Sequence, residues 1–123
     1  MPLVTLAETA HLMHNAVSGA LRSNAQTFDS IEQDAARHCA SVAGITLPTG
    51  PRPSTLDWIV LPMAWVIQYM AAPAVALTVS SDDATMRHIE RQYNHAQAIL
   101  RAPHPATSPT NNVVTGTFED LWP

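Results

Sequence analysis

Residues 58–81 read WIVLPMAWVIQYMAAPAVALTVSS, 24 positions without one charged side chain. About 20 apolar residues suffice to cross a bilayer, so this stretch decides between a membrane span and a helix buried in a small domain. Three features favour the buried helix. Pro62 and Pro73 each remove a backbone donor that lipid cannot replace. Gln68 and Tyr69 interrupt its middle, and its flanks are Asp57, Asp82 and Asp83 rather than Lys or Arg. A membrane-associated protein using residues 58–79 is the alternative this stretch leaves open.

Working outward, each flank offers helical segments with start and stop signals. Ser54 or Thr55 starts the apolar helix, with Asp57 in its first turn, where the helix dipole favours negative charge. Trp58, Leu61, Trp65, Val66 and Tyr69 are placed on one packing face. Pro62 either kinks this helix or marks a late start to its regular part, and Pro73 ends it. Downstream, Ser80 or Ser81 with Asp82 and Asp83 caps a helix whose inner stripe is Met86, Ile89, Tyr93, Ala96 and Leu100. An Asp83–Arg87 pair supports it at the surface, and Pro103 stops it.

Upstream, residues 47–53 (LPTGPRP) cannot be helical, because three prolines and a glycine interrupt them. Before them a helix is read from Asp29-Ser-Ile-Glu32, with the stripe Ile31, Ala35, Cys39, Val42 and a close at Gly44. The first helix opens on the capping box Thr5–Glu8 and carries Leu6, Ala10, Met13, Val17 and Leu21 at helical spacing. Gly19 and the polar run Ser23–Gln26 end it. The fold class is therefore all-α: a small bundle of about four helices over residues 1–102, followed by a long irregular arm, 103–123. That arm is rich in Pro, Thr, Ser and Asn until Phe118, Leu121 and Trp122, a composition expected to be disordered alone. Its aromatic end, beside Glu119 and Asp120, suits either a partner's groove or the arm's own domain.

Composition excludes several functions. The net charge is −4 and all six basic residues are Arg, which argues against a sequence-independent nucleic-acid binder. A helix-turn-helix regulator is an alternative, yet the second helix offers only Arg37 against Asp29, Glu32 and Asp34. Charged residues make up 13% of the chain, about half the usual share, so much of the surface is expected to be covered by other copies. Cys39 is the only cysteine, which rules out an intrachain disulfide and suits a reducing cytoplasm. The start MPLVTLAETAHLMHN has no basic region ahead of an apolar core and does not read as a signal peptide.

Catalytic chemistry finds little support. His11 and His14, with His38 and Cys39, could share a metal, but no carboxylate–histidine motif surrounds them. Cys39 falls on an apolar stripe and reads as a buried thiol. His88 and His95 fit a solvated helix face better than an acid–base pair. The aromatics Trp58, Trp65 and Tyr69 lack the interleaved Arg or Lys of a base-stacking platform, and four glycines leave no phosphate cradle. The chain is expected to be non-enzymatic, without metal or cofactor.

The order of these parts resembles the head–tail connector (adaptor, or head-completion) proteins of tailed bacteriophages. The likeness runs over residues 3–102. It begins with Leu3-Val-Thr-Leu-Ala-Glu8 and continues through the Ala-rich IEQDAARHCASVAGI, the Pro-containing linker and LDWIVLPMAWVIQYMA. Its most telling part is SDDATMRHIERQYNHAQAILRA, where Arg91-Gln92-Tyr93-Asn94 stands in place of the family's basic–aromatic–acidic/Asn run. The third helix is richer in Trp than is usual there, and residues 104–123 have no counterpart. The resemblance implies a structural virion protein at the head–tail interface, assembled in the host cytoplasm. It would form a ring with copies of itself, commonly twelvefold, beneath the portal protein. The ring would extend a channel through which genomic DNA passes without sequence-specific binding, and would present a platform to a downstream tail or stopper protein. Val113, Val114, Phe118, Leu121 and Trp122 would then form a portal-docking arm. Trp58, Leu61, Trp65, Tyr69, Ile89 and Tyr93 would pack the core and the ring, with no membrane involved.

Overall fold

The computed structural model describes residues 2–75 and 83–102. Within them lie five α-helices and no strand: α1 Leu6–Thr9, α2 Asn15–Arg22, α3 Ala25–Ala43, α4 Val60–Ala71 and α5 Asp83–Arg101. Helix α4 is the hub, packed against α5, α3, α1 and α2. The all-α bundle read from the sequence is the observed class.

The capping box forms as its residues dictate: the Thr5 hydroxyl accepts from the Glu8 amide at 3.2 Å, and Glu8 accepts from the Thr5 amide at 3.0 Å. The single first helix expected beyond it is broken, however. A 3-10 turn, Ala10–Leu12, follows α1, and Met13 is extended at φ −108°, ψ 160°. Two side chains fix this break. His14 Nδ1 accepts from the Ala16 amide at 3.1 Å, and Gln68 Oε1 of α4 accepts from the His14 amide at 2.6 Å. The bend still buries Met13, Val17 and Leu21.

Helix α3 also starts earlier than Asp29. Asn24 is its cap, Oδ1 accepting from the Thr27 amide at 3.2 Å, so the polar run read as an ending is a beginning. Glu32, freed from capping, turns inward. Phe28, Ala35, Ala36, Cys39 and Ala40 are buried along α3, with Ile31 and Val42 half-buried beside them. Gly44 ends the helix at φ 72°, the left-handed conformation glycine adopts without strain.

A 3-10 segment, Ser54–Ile59, precedes α4, so the regular helix does start late. Pro62 occupies its first turn, where a missing N–H costs no intrahelical bond. After Ala71 a 3-10 turn, Ala72–Val75, contains Pro73. Helix α4 turns its inner arc to four helices at once: Ile59 just before it, then Met63, Ala64, Val66, Ile67 and Ala71 are fully buried. Trp58, Leu61 and Trp65 are half-buried and Tyr69 is exposed, while Val66 leaves their face for the core. The expected aromatic packing face is thus the outer side of α4. Its aliphatic residues face inward because the helices packed around it leave no room for indoles there.

On α5, Ile89, Ala96 and Leu100 are buried, and Met86 and Tyr93 pack against the core. The Ser80/Ser81 cap, the Asp83 side chain of the Asp83–Arg87 pair, the Pro103 stop and the whole arm 103–123 lie outside the described residues.

Candidate interaction face

Leu61, Trp65 and Tyr69 recur every fourth residue along α4, and Trp58 precedes them by three. A helix places such residues above one another, so one apolar stripe borders solvent. Tyr69, 37% exposed, is the one exposed large hydrophobic residue among the described ones. Helix α5 runs antiparallel beside the stripe. Tyr93 stacks on Tyr69 with ring centroids 4.1 Å apart, and His95 lies 5.4 Å from Trp65. Behind Tyr93, His38 of α3 shares a 2.7 Å hydrogen bond with Gln97 and lies 6.2 Å from the Tyr93 ring. Three helices thus hold one aromatic ridge in place.

Beneath it sits Gln68, fully buried in the apolar helix. Its Oε1 accepts from the His14 amide, and its Nε2 donates to Gln92 Oε1 at 2.6 Å. A buried amide with both ends bonded fixes the register of α4 against the α1–α2 corner and α5. The sequence signal was its place as a lone amide in an uncharged run.

Around Leu3 and Arg52 the ties are ionic. The Arg52 guanidinium donates to both Glu8 oxygens, at 3.0 and 2.7 Å, to Asp57 at 3.1 Å and to the Leu3 carbonyl at 2.9 Å. Arg52 beside it, helped by the Thr5 amide, holds the Glu8 carboxyl down at about 2, and Arg52 itself is raised by Glu8. Glu32, 2% exposed, accepts from the Leu3 amide at 2.8 Å and the Val4 amide at 3.4 Å. Next to it lies a small cavity of about 160 Å³, lined by Leu3, Ala36, Leu47 and Pro48 among others. The Thr5–Glu8 box was read from the sequence, but its ties to Arg52 and the Glu32 clasp were not, since those partners stand 28–49 residues apart and share no local pattern.

Candidate chemical groups are dispersed. His11 and His14 are exposed, and no three His, Cys, Asp or Glu side chains come together in metal-binding range among the described residues. Cys39 is fully buried, and burial pushes its thiol up to about 12, so it is a poor nucleophile. His88 and His95 are both exposed. Among the described residues no helix is long and apolar enough to cross a membrane. Arg37 of α3 is spent on Asp34, three residues before it. Of the residues assigned to packing, Ile89 is in the core and Trp58, Trp65 and Tyr93 lean on it, while Leu61 is half-buried and Tyr69 outermost. Val113, Val114, Phe118, Leu121 and Trp122 lie outside the described residues.

What the fold defines is a small all-α bundle with an aromatic outer ridge. The chain matches no protein-family model, no curated protein and no solved structure.

Proposed function

We propose that the chain is a structural subunit of a head–tail connector, joining the portal of a tailed phage to its tail as one member of a ring. The observation that carries the reading is the half-exposed stripe Trp58, Leu61, Trp65 and Tyr69 on a surface with few charges. Apolar side chains arrayed along the outside of a central helix mark a protein contact. The helix order resembling that family gives the contact its setting. In this reading neighbouring copies pack laterally, DNA passes an acidic chain without adhering, and the arm from Val113 to Trp122 docks on the portal. The role is mechanical and needs no cofactor.

The test is co-sedimentation of the full chain with portal-bearing, DNA-filled heads of the same phage, alongside Trp122→Ala. Binding by the parent that falls at least about tenfold in the variant, a loss of ~1.4 kcal/mol, supports a connector with a docking arm. A folded chain that does not sediment with the heads ends the connector assignment.

A further inference from the structure

Glu32 carries a charge that the described residues leave without a counter-ion. It is 2% exposed, and both of its hydrogen bonds, from the Leu3 and Val4 amides, fall on Oε2. Oε1 has no hydrogen-bond partner among the described residues, yet it is not fully enclosed, so a donor from outside can reach it. A buried carboxylate without a paired cation is costly, and two neutral amides on one oxygen offset only part of that cost.

The neighbouring cations are already committed. Arg37 pairs with Asp34, and Arg52 meets both Glu8 and Asp57. Among the described residues neither Glu32 nor Asp29 has an ion pair. These two acids line one hollow, together with Pro2 and Gln33. The field on this side of α3 is therefore negative and favours a cation.

The cavity of about 160 Å³ beside Glu32 supplies the rest of a site. Its walls are apolar: Leu3 and Ala36 are buried, Leu47 and Pro48 half-buried, and exposed Gln33 and Arg37 complete the lining. A cavity of about 150 Å³ takes a guest the size of benzene, roughly six heavy atoms. Small-ligand sites have this make-up, a mostly apolar lining with a few placed polar groups. An alkyl body ending in an N–H cation matches both parts of the lining.

We infer that this cavity binds a primary alkylammonium of about four or five carbons, its nitrogen donating to Glu32 Oε1 and its chain lying on Leu3, Ala36, Leu47 and Pro48. The ligand then ties residues 2–5 and the linker 47–53 to α3. The site shares no residue with the aromatic ridge, and the inference does not rest on the connector reading.

The experiment titrates the full chain near neutral pH and at constant ionic strength with n-butylammonium chloride, and separately with n-butanol, following backbone amide NMR signals. Butylammonium is expected to shift the amides of Leu3, Gln33, Ala36 and Leu47 to saturation, with a Kd on the order of 1 mM, inside the ceiling for a ligand of its size. Butanol, of equal length and without charge, is expected to bind at least about tenfold more weakly, since it lacks the charged hydrogen bond. Glu32→Gln is expected to weaken butylammonium by at least about tenfold and to leave butanol unchanged, with the helical circular-dichroism signal retained. Leu47→Trp, which fills the cavity from the linker, is expected to abolish binding of both. If Glu32→Gln fails to fold, the parent's preference for the ammonium over the alcohol decides alone. Equal affinity for the two ligands, shifts that do not saturate or centre away from the cavity, or undiminished binding by folded Glu32→Gln would each overturn the inference.

Discussion

Two regions of this bundle are held by different physics. Near Leu3, chain segments are joined by polar side chains: Glu32 takes two backbone amides and Arg52 gathers Glu8, Asp57 and the Leu3 carbonyl. Between α4 and α5 the contact is apolar, with one bridging amide, Gln68 to Gln92. The difference follows from what each end must fix. A non-helical segment such as residues 2–5 buries amides that no helix satisfies, so side-chain acceptors must reach them. Two long helices satisfy their own backbones and need only shape, which apolar side chains supply by burial. Polar groups therefore position the chain terminus, and apolar groups hold most of the stability.

On that division, the largest loss comes from the apolar α4–α5 contact. Ile89→Ala, at a fully buried site between α5 and the core, is expected to cost about 2–5 kcal/mol. Denaturant unfolding would read this as a lower midpoint at unchanged slope. Glu32→Ala is expected to cost about 1–3 kcal/mol, because it strands two buried amide donors, while Glu32→Gln keeps an acceptor and costs less. A Glu32→Ala loss exceeding that of Ile89→Ala would break the comparison, showing that the polar clasp carries the fold.

The same division explains what was legible in the sequence. Helical stripes such as Ile89, Ala96 and Leu100, the Thr5–Glu8 box and the Gly44 stop rest on local spacing, and each stands where spacing put it. The break at Met13 and the early start of α3 depend on Gln68 and Asn24, the first a contact 54 residues away and the second a residue whose polarity fits an ending as well as a beginning. The side of α4 that faces inward is not marked in the sequence for a related reason. A helix that is apolar all round has no polar face to mark its outside, so neighbours rather than pattern decide. Aromatic residues gave the ridge its members, Trp58, Leu61, Trp65 and Tyr69, without giving its exposure.

The smallest expected effect isolates the ionic clasp. Glu8→Gln preserves the capping box, since an amide can still accept from the Thr5 backbone, yet it removes the ion pair with Arg52. Because Arg52 lowers the folded Glu8 carboxyl from 4.5 to about 2, the pair stabilises the fold above the unfolded value and loses that contribution as pH falls through the folded one. The Glu8 side chain is 38% exposed, so solvent screens much of the attraction, and about 1 kcal/mol is the expected size. Parent and variant stabilities, measured by urea unfolding, should differ by a constant amount above about pH 5 and converge between about 4.5 and 2. Convergence in this window assigns the loss to the guanidinium–carboxylate pair. A difference that persists at pH 2 instead assigns it to the capping turn, and the clasp is then held by backbone hydrogen bonds, as Glu32 holds Leu3.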